Sequence, residues 1–576
     1  MVWNYQLMLA GTVLSLLAAS CTHDNSSGGK ETSGTAVVHR IEEIAPYTAV
    51  DSHAGEEKWS VLQPMYTTFS VVPNSLLTAA ISDETSDQKQ AYYARVKVMA
   101  DGRYLLLYMG GQYGSRCFAT TSSDFKNWST PQMLLEPEKV QIAGTSDWRR
   151  YSGPDAVVLP DGDILAVFSF RETDSYSKGL GGGLVTMRSS DNGATWSAPQ
   201  CIYEGTNWEP YLLVLPDGRL HCYFTDATPM TRNSGTSVLV SSDNGKTWSA
   251  KMRCARLYKY NYDGPNTAYT GQKIFTDQMP SFRVLNDGKT IFGFLEARLE
   301  TPASNQGSSY YKMSLVYSDG LDWKDLGEET AGPERRQSTV IAGAGGYVST
   351  FPSGEVVISC NISKQLSLKV GDRTATDFGK WDSGWQVPFT GNGVWGSTEV
   401  EDGNKLLAAI QNSGQGVNLG KLWLNHSLTA RQATVAVGGN GKEWGLDEAL
   451  YISTKDGHEV MVRAARDADN LYLCLDRRGD ADLQLVVAAA DGGATYKAAL
   501  SRDGAFTFGN AAWTGKASTV KTSDGKKGTV AEVCIPLASL DAASAPAVML
   551  FASLAGTPFT GAYISNPDSW QRILLP

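Results

Sequence analysis

The sequence contains little of what several classes of protein require. Charged residues make up only 19% of the 576 residues, and the chain has six histidines and no Cys-x-x-Cys pair. So few metal-binding side chains argue against a zinc site. The formal net charge of −10 argues against a nucleic-acid partner. The apolar run at residues 7–19 is too short to cross a membrane as a helix, and no later apolar run is long enough.

Glycine and aromatic residues are abundant instead. The chain has 58 glycines, about a tenth of all residues, and 10% aromatic residues; ordinary glycine usage is ~7%. Many glycines, tryptophans and tyrosines with few charges are typical of short strands joined by many turns. The same composition excludes a disordered chain, a coiled coil and collagen.

The N-terminal segment has the pattern of an export signal. Residues 7–19 read LMLAGTVLSLLAA, and Ser20-Cys21 and a Ser/Gly-rich stretch follow. This pattern resembles a bacterial lipoprotein signal. We expect residues 1–20 to be the signal peptide, Cys21 the lipidated residue and residues 21–36 a flexible tether. The expected location is the bacterial cell envelope, anchored at the periplasmic face or at the outer surface of the outer membrane; the alternative is ordinary secretion.

One short pattern recurs six times along the chain. Each copy is an apolar strand, a turn that contains glycine, and a second apolar strand, as in AVVLPDGDILAVF and LLVLPDGRLHCYF. A glycine in a two-residue hairpin supplies the positive φ that such a turn needs. The intervals between the turn glycines are 60, 56, 70, 66 and 49 residues. The six turn glycines are Gly102, Gly162, Gly218, Gly288, Gly354 and Gly403.

A second motif follows most of these hairpins. SSDNGATW at residues 189–196 and SSDNGKTW at residues 241–248 are intact copies, and degenerate copies contain Asp124, Asp319 and Asp382. The aspartate can accept hydrogen bonds from turn amides while the tryptophan packs beneath it, so the motif predicts a structural role. The motif is similar to the Asp-box, or bacterial neuraminidase repeat. Repeated four-stranded units of this length predict a six-bladed β-propeller over residues 37–436.

The remaining residues, 437–576, have a different pattern. The segments RAARDADNLYLCLD and EVCIPLASL resemble the family-nine type of carbohydrate-binding β-sandwich. The complete fold prediction is therefore all-β, a six-bladed propeller followed by a β-sandwich. The resemblance implies sugar binding by aromatic side chains, with a packing or spacer domain as the alternative. It also leaves a structural calcium ion possible in this domain, and no other cofactor is expected. The candidate aromatics are Trp444, Tyr451, Tyr472, Trp513 and Trp570.

The best catalytic candidates are two glutamates near the predicted mouth of the propeller. Glu209 lies in the segment Asn207-Trp208-Glu209-Pro210, nine residues before its turn glycine, and Glu296 ends the second strand of the fourth repeat. A carboxylate in an apolar setting is costly unless it is paired or used. Two carboxylates that face one sugar are the minimum for glycoside hydrolysis. The alternative is that each glutamate forms a salt bridge, with Arg298 as the obvious partner of Glu296.

Further polar residues fall at the same end of the strands. The predicted substrate-binding residues are Arg95, Asp155, Arg171, Trp208, Asp226, Gln278 and Arg298. Glu172 and Glu399 are weaker candidates, with surface or strand-edge roles as the alternative.

The Asp-boxes and hairpins together resemble the sialidase-like superfamily over about 400 residues. Arg95 falls where the first arginine of a sialidase would lie, but Thr225-Asp226 and Gln278 stand where two further arginines are expected. The exo-arabinanase branch is more similar, through Trp208-Glu209-Pro210, the strand that ends at Asp226, and Glu296. This resemblance implies a retaining two-carboxylate mechanism.

Four functions follow as hypotheses. The first is an exo-acting glycoside hydrolase that releases terminal sugars from a polysaccharide or glycan; the second is an exo-sialidase. The third is a non-catalytic glycan-binding lipoprotein, because propellers often only bind. The fourth is a polysaccharide lyase, for which His221 or Tyr113 is the available base.

Overall fold

The structure, a computed structural model, is almost entirely β-strand in the part of the chain that it describes. The described residues are 69–72, 75–81, 90–111, 115–227, 234–256, 275–300, 309–327, 335–352, 354–379, 381, 385–389, 393–424, 427–444, 449–453, 459–489, 495–521, 527–558 and 570–576. Short 3-10 helices occur at Tyr176–Lys178 and Leu537–Leu540. This confirms the all-β class. Cys21 and the predicted tether lie outside these residues.

The first part of the chain forms six antiparallel sheets, called blades one to six here. Blade one has β3 (Tyr92–Val98), β4 (Tyr104–Gly110), β5 (Arg116–Ser122) and β6 (Gln132–Leu135). Blade two has β7 (Glu138–Ile142), β8 (Thr145–Val158), β9 (Ile164–Glu172), β10 (Gly183–Ser189) and β11 (Gln200–Glu204). Blade three has β12 (Asn207–Val214), β13 (Leu220–Asp226), β14 (Gly235–Ser241) and β15 (Met252–Ala255).

The other three blades differ more from one another. Blade four has β16 (Phe275–Gln278), β17 (Phe282–Val284), β18 (Ile291–Glu300), β19 (Ser309–Tyr317) and β20 (Arg335–Ala342). Blade five has β21 (Ala344–Thr350), β22 (Val356–Ile362) and β23 (Gln365–Gly371). Blade six has β24 (Ser397–Asp402), β25 (Lys405–Asn412) and β26 (Gly416–Leu424), completed by β1 (Phe69–Val71) and β2 (Leu77–Ala79) from the start of the described chain.

Hydrogen bonds from the innermost strands to the neighbouring blades close the six blades into a ring. The contacts that join successive blades include Gly153 N to Met109 Sδ, Leu212 N to Asp155 Oδ2, Tyr211 Oη to Phe282 O, Val348 N to Ser281 Oγ, Ser349 Oγ to Thr398 O, and Val96 N to Ser397 Oγ. The last of these bonds joins blade six to blade one. The ring leaves only short, protected strand edges toward its axis.

The six repeated turns have the backbone that the sequence predicts. Each turn glycine has a positive φ, from 36° at Gly403 to 100° at Gly354. In the Asp-box of blade two, Asp191 accepts hydrogen bonds from the Thr195 amide at 2.8 Å and from the Thr195 hydroxyl at 2.6 Å. These bonds, that of the hydroxyl foremost, lower the pKa of Asp191 to about 2. The structural role predicted for the motif is confirmed at this turn.

The C-terminal part of the chain forms two further sheets. One contains β27 (Ser427–Thr429), β39 (Gln571–Leu574), β37 (Ala547–Leu554), β32 (Leu483–Ala489), β33 (Thr495–Leu500) and β34 (Phe506–Phe508), with β38 (Thr557–Pro558) beside β37. The other contains β28 (Arg431–Gln432), β30 (Glu459–Arg466), β31 (Asn470–Arg478), β36 (Lys527–Pro536) and β35 (Thr514–Lys521), with β29 (Leu450–Ser453) beside β30. Both sheets contribute to one apolar core, as in a sandwich.

The aromatic residues proposed for sugar stacking in this sandwich are mostly inside it. Trp444, Tyr472, Trp513 and Trp570 are no more than 6% exposed, and the Tyr451 side chain lies outside what the structure describes. The four buried rings present no face to a sugar, which favours the packing role for this domain. Strands β27 and β28 precede residue 437 yet pair with β39 and β30 of this domain, so the boundary predicted at residue 436 falls too late in the chain. The boundary at residue 36 lies outside the described residues and stays a prediction.

No helix in the described segments is both long enough and apolar enough to span a membrane.

Candidate functional site

The site is built on a backbone feature that recurs in every blade. Six residues at the start of the innermost strands have positive φ: Tyr93, Gly153, Glu209, Met279, Gly345 and Trp395. Each lies nine residues before its turn glycine, or eight in blade six. In blades one, two, three and five the strand register shifts at this point, as in a β-bulge. A bulge re-aims its side chain, so these six positions form one ring around the mouth.

Glu209 occupies this ring position in blade three. Its φ of 37° is unusual for a residue other than glycine, and such strain is tolerated where the surrounding structure enforces it. The Thr225 hydroxyl donates a hydrogen bond to Glu209 Oε2 at 2.7 Å. Burial raises the pKa of Glu209 to about 6, although the hydrogen bond from Thr225 and the charge of Arg171 act in the opposite direction. Glu209 therefore exchanges a proton close to neutral pH.

Glu296 is the carboxylate of the adjacent blade and is held differently. Its side chain is only 2% exposed. Gln278 Nε2 donates to Oε1 at 2.5 Å, and the Gly345 amide donates to Oε2 at 2.6 Å. Both oxygens are therefore fixed by donors, an arrangement that favours negative charge.

A short segment of blade four joins the two glutamates. The Thr225 hydroxyl, which donates to Glu209, also accepts a hydrogen bond from the Met279 amide at 2.9 Å. Gln278, the preceding residue, donates to Glu296. The two carboxylates are thus neighbours that share one hydrogen-bonded support, and their catalytic role stays a prediction.

Tyr93 lies close enough to both carboxylates to feel their charges, and it was missed in the sequence. Burial raises the pKa of its hydroxyl well above the usual value, and the negative charges of Glu209 and Glu296 raise it further. The hydroxyl is therefore a neutral donor near both groups. The Tyr93 ring packs 5.6 Å from that of Trp395, the ring residue of blade six. Applying the nine-residue spacing of Glu209 to the other repeats would have identified Tyr93.

Arg95 and Asp155 occupy a deeper layer and join blades together. The Arg95 guanidinium donates to the carbonyls of Trp395 and Gly396, at 2.9 and 3.2 Å, and is 5% exposed. Asp155 is fully buried and accepts from the Leu212 amide at 2.9 Å and from the Tyr347 hydroxyl at 3.2 Å. Their contacts are with the propeller itself, and they lie below the two glutamates.

Asp226 is also fully buried, at the edge of blade three. It pairs with Lys251 and Arg253, each at 2.8 Å, and accepts from the Ser237 hydroxyl at 2.8 Å. Burial would raise its pKa, but the two cations outweigh burial and the pKa is lowered. These contacts, all within blade three, give Asp226 a structural role.

Arg171 and Trp208 flank Glu209, and both stay candidates for substrate contact. The Arg171 guanidinium donates to the Ser152 hydroxyl at 3.0 Å and lies 5.6 Å from the Tyr176 ring centroid. The Tyr176 hydroxyl in turn donates to the Asn207 carbonyl at 2.7 Å, one residue before Trp208. For Arg298 only the backbone is described, in β18; its side chain lies outside the described residues.

The weaker candidates are engaged elsewhere. Glu172 pairs with Arg149 at 2.9 Å, and Glu399 pairs with Arg283 at 3.3 Å. His221 is 1% exposed, and burial lowers its pKa to about 4. The His221 ring contacts the Tyr223 hydroxyl of the same strand at 2.8 Å, so it lies within a blade. Tyr113 lies outside the described residues.

The described residues include no group of three or more His, Cys, Asp or Glu side chains that is placed to hold a metal ion. The calcium ion left possible for the C-terminal domain stays a prediction.

The fold and the site together define a β-propeller with two neighbouring carboxylates at one mouth, Glu296 buried and Glu209 partly exposed. No protein-family model matches the chain. A curated sialidase from Micromonospora viridifaciens is 28% identical over 145 residues. This match covers 22% of the present chain and only 22% of the length of that relative.

Several solved structures are also similar. The GH93 α-L-arabinofuranosidase of Fusarium graminearum, in complex with arabinobiose, is 16% identical, with a TM-score of 0.44 over 61% of this chain and 98% of that one. An α-L-arabinanase of Penicillium chrysogenum, also with arabinobiose, is 17% identical, with a TM-score of 0.43 over 61% and 98%. The Hadza microbial sialidase Hz136 is 12% identical, with a TM-score of 0.38 over 58% and 66%. Identities and scores this low leave the activity of the chain open.

Proposed function

We propose that the protein is an exo-acting glycoside hydrolase that releases terminal sugars from a polysaccharide or glycan. The observation that carries the proposal is the pair formed by Glu209 and Glu296. The two carboxylates come from adjacent blades, share the support of Thr225, Gln278 and Met279, and have different surroundings. Two carboxylates with different environments are what acid and nucleophile roles require.

Glu209 is the proposed general acid. Its pKa of about 6, raised by burial, leaves a useful fraction protonated near neutral pH. The protonated carboxyl donates its proton to the glycosidic oxygen as the bond from that oxygen to the anomeric carbon breaks. The same group, now a carboxylate, then removes a proton from the incoming water.

Glu296 is the proposed nucleophile. The Gln278 amide and the Gly345 N–H orient its two oxygens. One oxygen forms a bond to the anomeric carbon as the leaving group departs, and water later replaces Glu296 at that carbon. The two displacements retain the anomeric configuration. The neutral Tyr93 hydroxyl donates to negative charge at this point.

The exo-sialidase hypothesis is less well supported. A sialic-acid carboxylate requires a clamp of cations. Arg95, the one arginine in the expected place, has its guanidinium bound to main-chain carbonyls and packed 4.1 Å from the Tyr93 ring centroid. The sequence has Thr225 and Gln278 at the other two places.

We also propose that the protein acts at the bacterial cell envelope, attached through a lipid on Cys21. The pattern of residues 7–21 supports this location. Metabolic labelling with a fatty-acid analogue tests it: wild-type protein takes up the label and Cys21→Ser does not. Label that persists in Cys21→Ser would contradict lipidation at this residue.

A hydrolysis screen tests the proposed activity. The purified protein is incubated with aryl glycosides, arabinan, sialyl-lactose and uronate-rich polysaccharides, and the products are resolved by chromatography. Glu209→Gln and Glu296→Gln are run in parallel, with Asp191→Asn as a matched carboxylate change in an Asp-box. We expect one small sugar to be released by wild type and Asp191→Asn and by neither glutamate variant.

Activity that survives both glutamate substitutions would overturn the site. An unsaturated, ultraviolet-absorbing product would show a lyase instead. Glycan binding without product on any substrate would favour the non-catalytic lipoprotein.

A further inference from the structure

Within the described residues, blade two carries a hairpin extension of its innermost strand that no other blade shows. Strand β8 begins at Thr145, eight residues before its ring position at Gly153, and therefore projects beyond the mouth. Strand β7 pairs with this projecting part, Lys139 opposite Trp148 and Val140 opposite Asp147. Since β9 occupies the other edge of β8, β7 lies on the edge that faces the propeller axis. The β7–β8 hairpin thus forms a wall beside Glu209, the ring residue of the next blade.

The two faces of this wall differ in charge. Alternate residues of a strand share a face, and so do residues directly opposite on paired strands. On one face lie Glu138, Asp147, Arg149 and Glu172. Arg149 pairs with Glu172 at 2.9 Å and lies 3.9 Å from Glu138, while Asp147 accepts from the Ser175 amide at 2.8 Å. This face is neutralised by its own contacts.

The opposite face carries cations and one exposed aromatic ring. Its members are Lys139, Trp148, Arg150 and Arg171, which we call the basic strip. Trp148 is 46% exposed, and the Lys139 ammonium lies 5.4 Å from its ring centroid. Within the described part of the chain, neither Arg150 nor Arg171 forms an ion pair. The strands place no carboxylate on this face.

The basic strip leads to the proposed acid. Arg150 and Arg171 are directly opposite each other on β8 and β9, and Arg171 is close enough to Glu209 to lower its pKa. From Ser152, which bonds Arg171, to Trp148 the strand rises about 13 Å. A chain that leaves the two glutamates along this wall would pass Arg171, then Arg150, then Trp148.

We propose that the basic strip binds an acidic glycan, so that the substrate carries carboxylate or sulfate groups on sugars beyond the bond that is cleaved. The guanidiniums of Arg150 and Arg171 match the two oxygens of such a group. The exposed face of Trp148 packs against a sugar ring. The strip is unusual in a chain whose net charge is −10. This inference deepens the proposed function and rests on the same mouth.

Binding to acidic and neutral polymers tests the inference without turnover. The Glu209→Gln protein is run in affinity gels that contain polygalacturonate, chondroitin sulfate or neutral arabinan, at low and high salt. Arg150→Gln and Trp148→Ala are added singly, and both side chains are exposed, so folding is checked by thermal melting. The matched control is Lys246→Gln, which removes an exposed cation from the Asp-box at the opposite end of blade three.

We expect salt-sensitive retention by one of the acidic polymers and weaker retention by arabinan. Arg150→Gln should raise Kd roughly tenfold, the effect of one lost charge-assisted hydrogen bond. Trp148→Ala should weaken binding with less dependence on salt, and Lys246→Gln should have no effect. Preference for polygalacturonate identifies a carboxylate ligand, and preference for chondroitin sulfate identifies a sulfate.

Equal retention by arabinan, no retention by either acidic polymer, or an equal loss in Lys246→Gln would overturn the inference. The two proposals fail separately. If the screen finds hydrolysis but binding does not depend on the basic strip, only the inference of an acidic glycan is overturned. If binding depends on the basic strip but no hydrolysis is found, only the proposed glycoside hydrolase activity is overturned.

Discussion

The two ends of the propeller use carboxylates in opposite ways. At the Asp-box turns, Asp191 lies in an exposed loop, and hydrogen bonds from Thr195 lower its pKa to about 2. At the mouth, burial raises the pKa of Glu209 to about 6. The donors of Asp191, Ser189 and Thr195, are two and four residues away in the chain, whereas Thr225, the donor of Glu209, is sixteen residues away on the next strand. Local contacts stabilise the turn, and the fold as a whole sets the chemistry of the mouth.

The largest expected effect is that replacing a carboxylate at the mouth abolishes catalysis, whereas replacing one at an Asp-box does not. Glu209→Gln should lower kcat/KM by about 10³-fold or more, because it removes the proton donor. Asp191→Asn should leave kcat/KM unchanged and lower the melting temperature, because it weakens a turn at the far end. Steady-state kinetics and thermal melting measure both. An equal loss of activity in Asp191→Asn would remove the distinction between the two ends.

Backbone strain offers a second comparison, between Gly153 at the mouth and Gly218 in a far turn. Both have positive φ, so alanine costs each about 1–2 kcal/mol. A Cβ on Gly153 would lie 3.4 Å from Pro210 Cδ and 3.5 Å from Glu209 Cα, whereas nothing lies within 4 Å of one on Gly218. The contacts around Gly153 are ordinary van der Waals distances, so the Cβ itself fits, but relief of the strained φ would shift backbone that touches Glu209. Gly153→Ala should therefore reduce kcat by up to about 100-fold.

Gly218→Ala serves as the control for that strain. It should lower the melting temperature as much as Gly153→Ala does and keep full kcat. Similar kinetics in the two variants would show that Gly153 has no influence on the position of Glu209.

The pH dependence of the reaction sharpens the comparison. A general acid must be protonated, so kcat/KM should fall as the pH rises through the pKa of Glu209, about 6. The Thr225 hydroxyl lowers this pKa, so Thr225→Val should move the basic limb to higher pH. Thr225→Ser keeps the hydroxyl and should leave the limb in place. If the basic limb of the profile does not move in Thr225→Val, that limb reports the titration of a group other than Glu209.

The smallest expected effect is on stability. The pKa of Glu209 is higher in the folded protein, about 6, than the usual 4.5, so stability is highest below the usual value and is lost as the pH rises through the folded one. At pH 8 the neutral variant Glu209→Gln should thus be more stable than wild type by about 1–2 kcal/mol. At pH 4 the two should be alike. Urea unfolding at both pH values measures this, and a difference independent of pH would contradict the burial of a charge.

The sequence predicted the local parts of the molecule well and the non-local parts incompletely. The turn glycines and Asp-boxes depend on contacts within a few residues, and a repeated spacing reveals them. The spacing of Glu209 from Gly218 likewise marked a ring position. Tyr93 has the same spacing from Gly102, but its proximity to both carboxylates arises only when the blades close into a ring.

The role of Asp226 also depends on packing that no spacing shows. Asp226 matches a strand of the exo-arabinanase branch, yet its partners Lys251 and Arg253 lie on the outer strand of blade three and take up its charge. Trp148 and Arg150 could not be singled out, because their common face is defined by the register of β7, β8 and β9. The sequence contained no sign that β8 extends past the mouth.

The most direct test of the contrast between the carboxylates at the two ends of the propeller is to measure the pKa of Glu209 itself. Carboxyl ¹³C resonances of selectively labelled glutamate can be followed with pH in wild type and in Glu209→Gln. The account predicts one glutamate resonance that titrates near pH 6 in wild type and is absent from the variant. If every resonance that the variant lacks titrates near pH 4.5 or below, burial does not set the proton affinity of Glu209, and its assignment as the general acid is wrong.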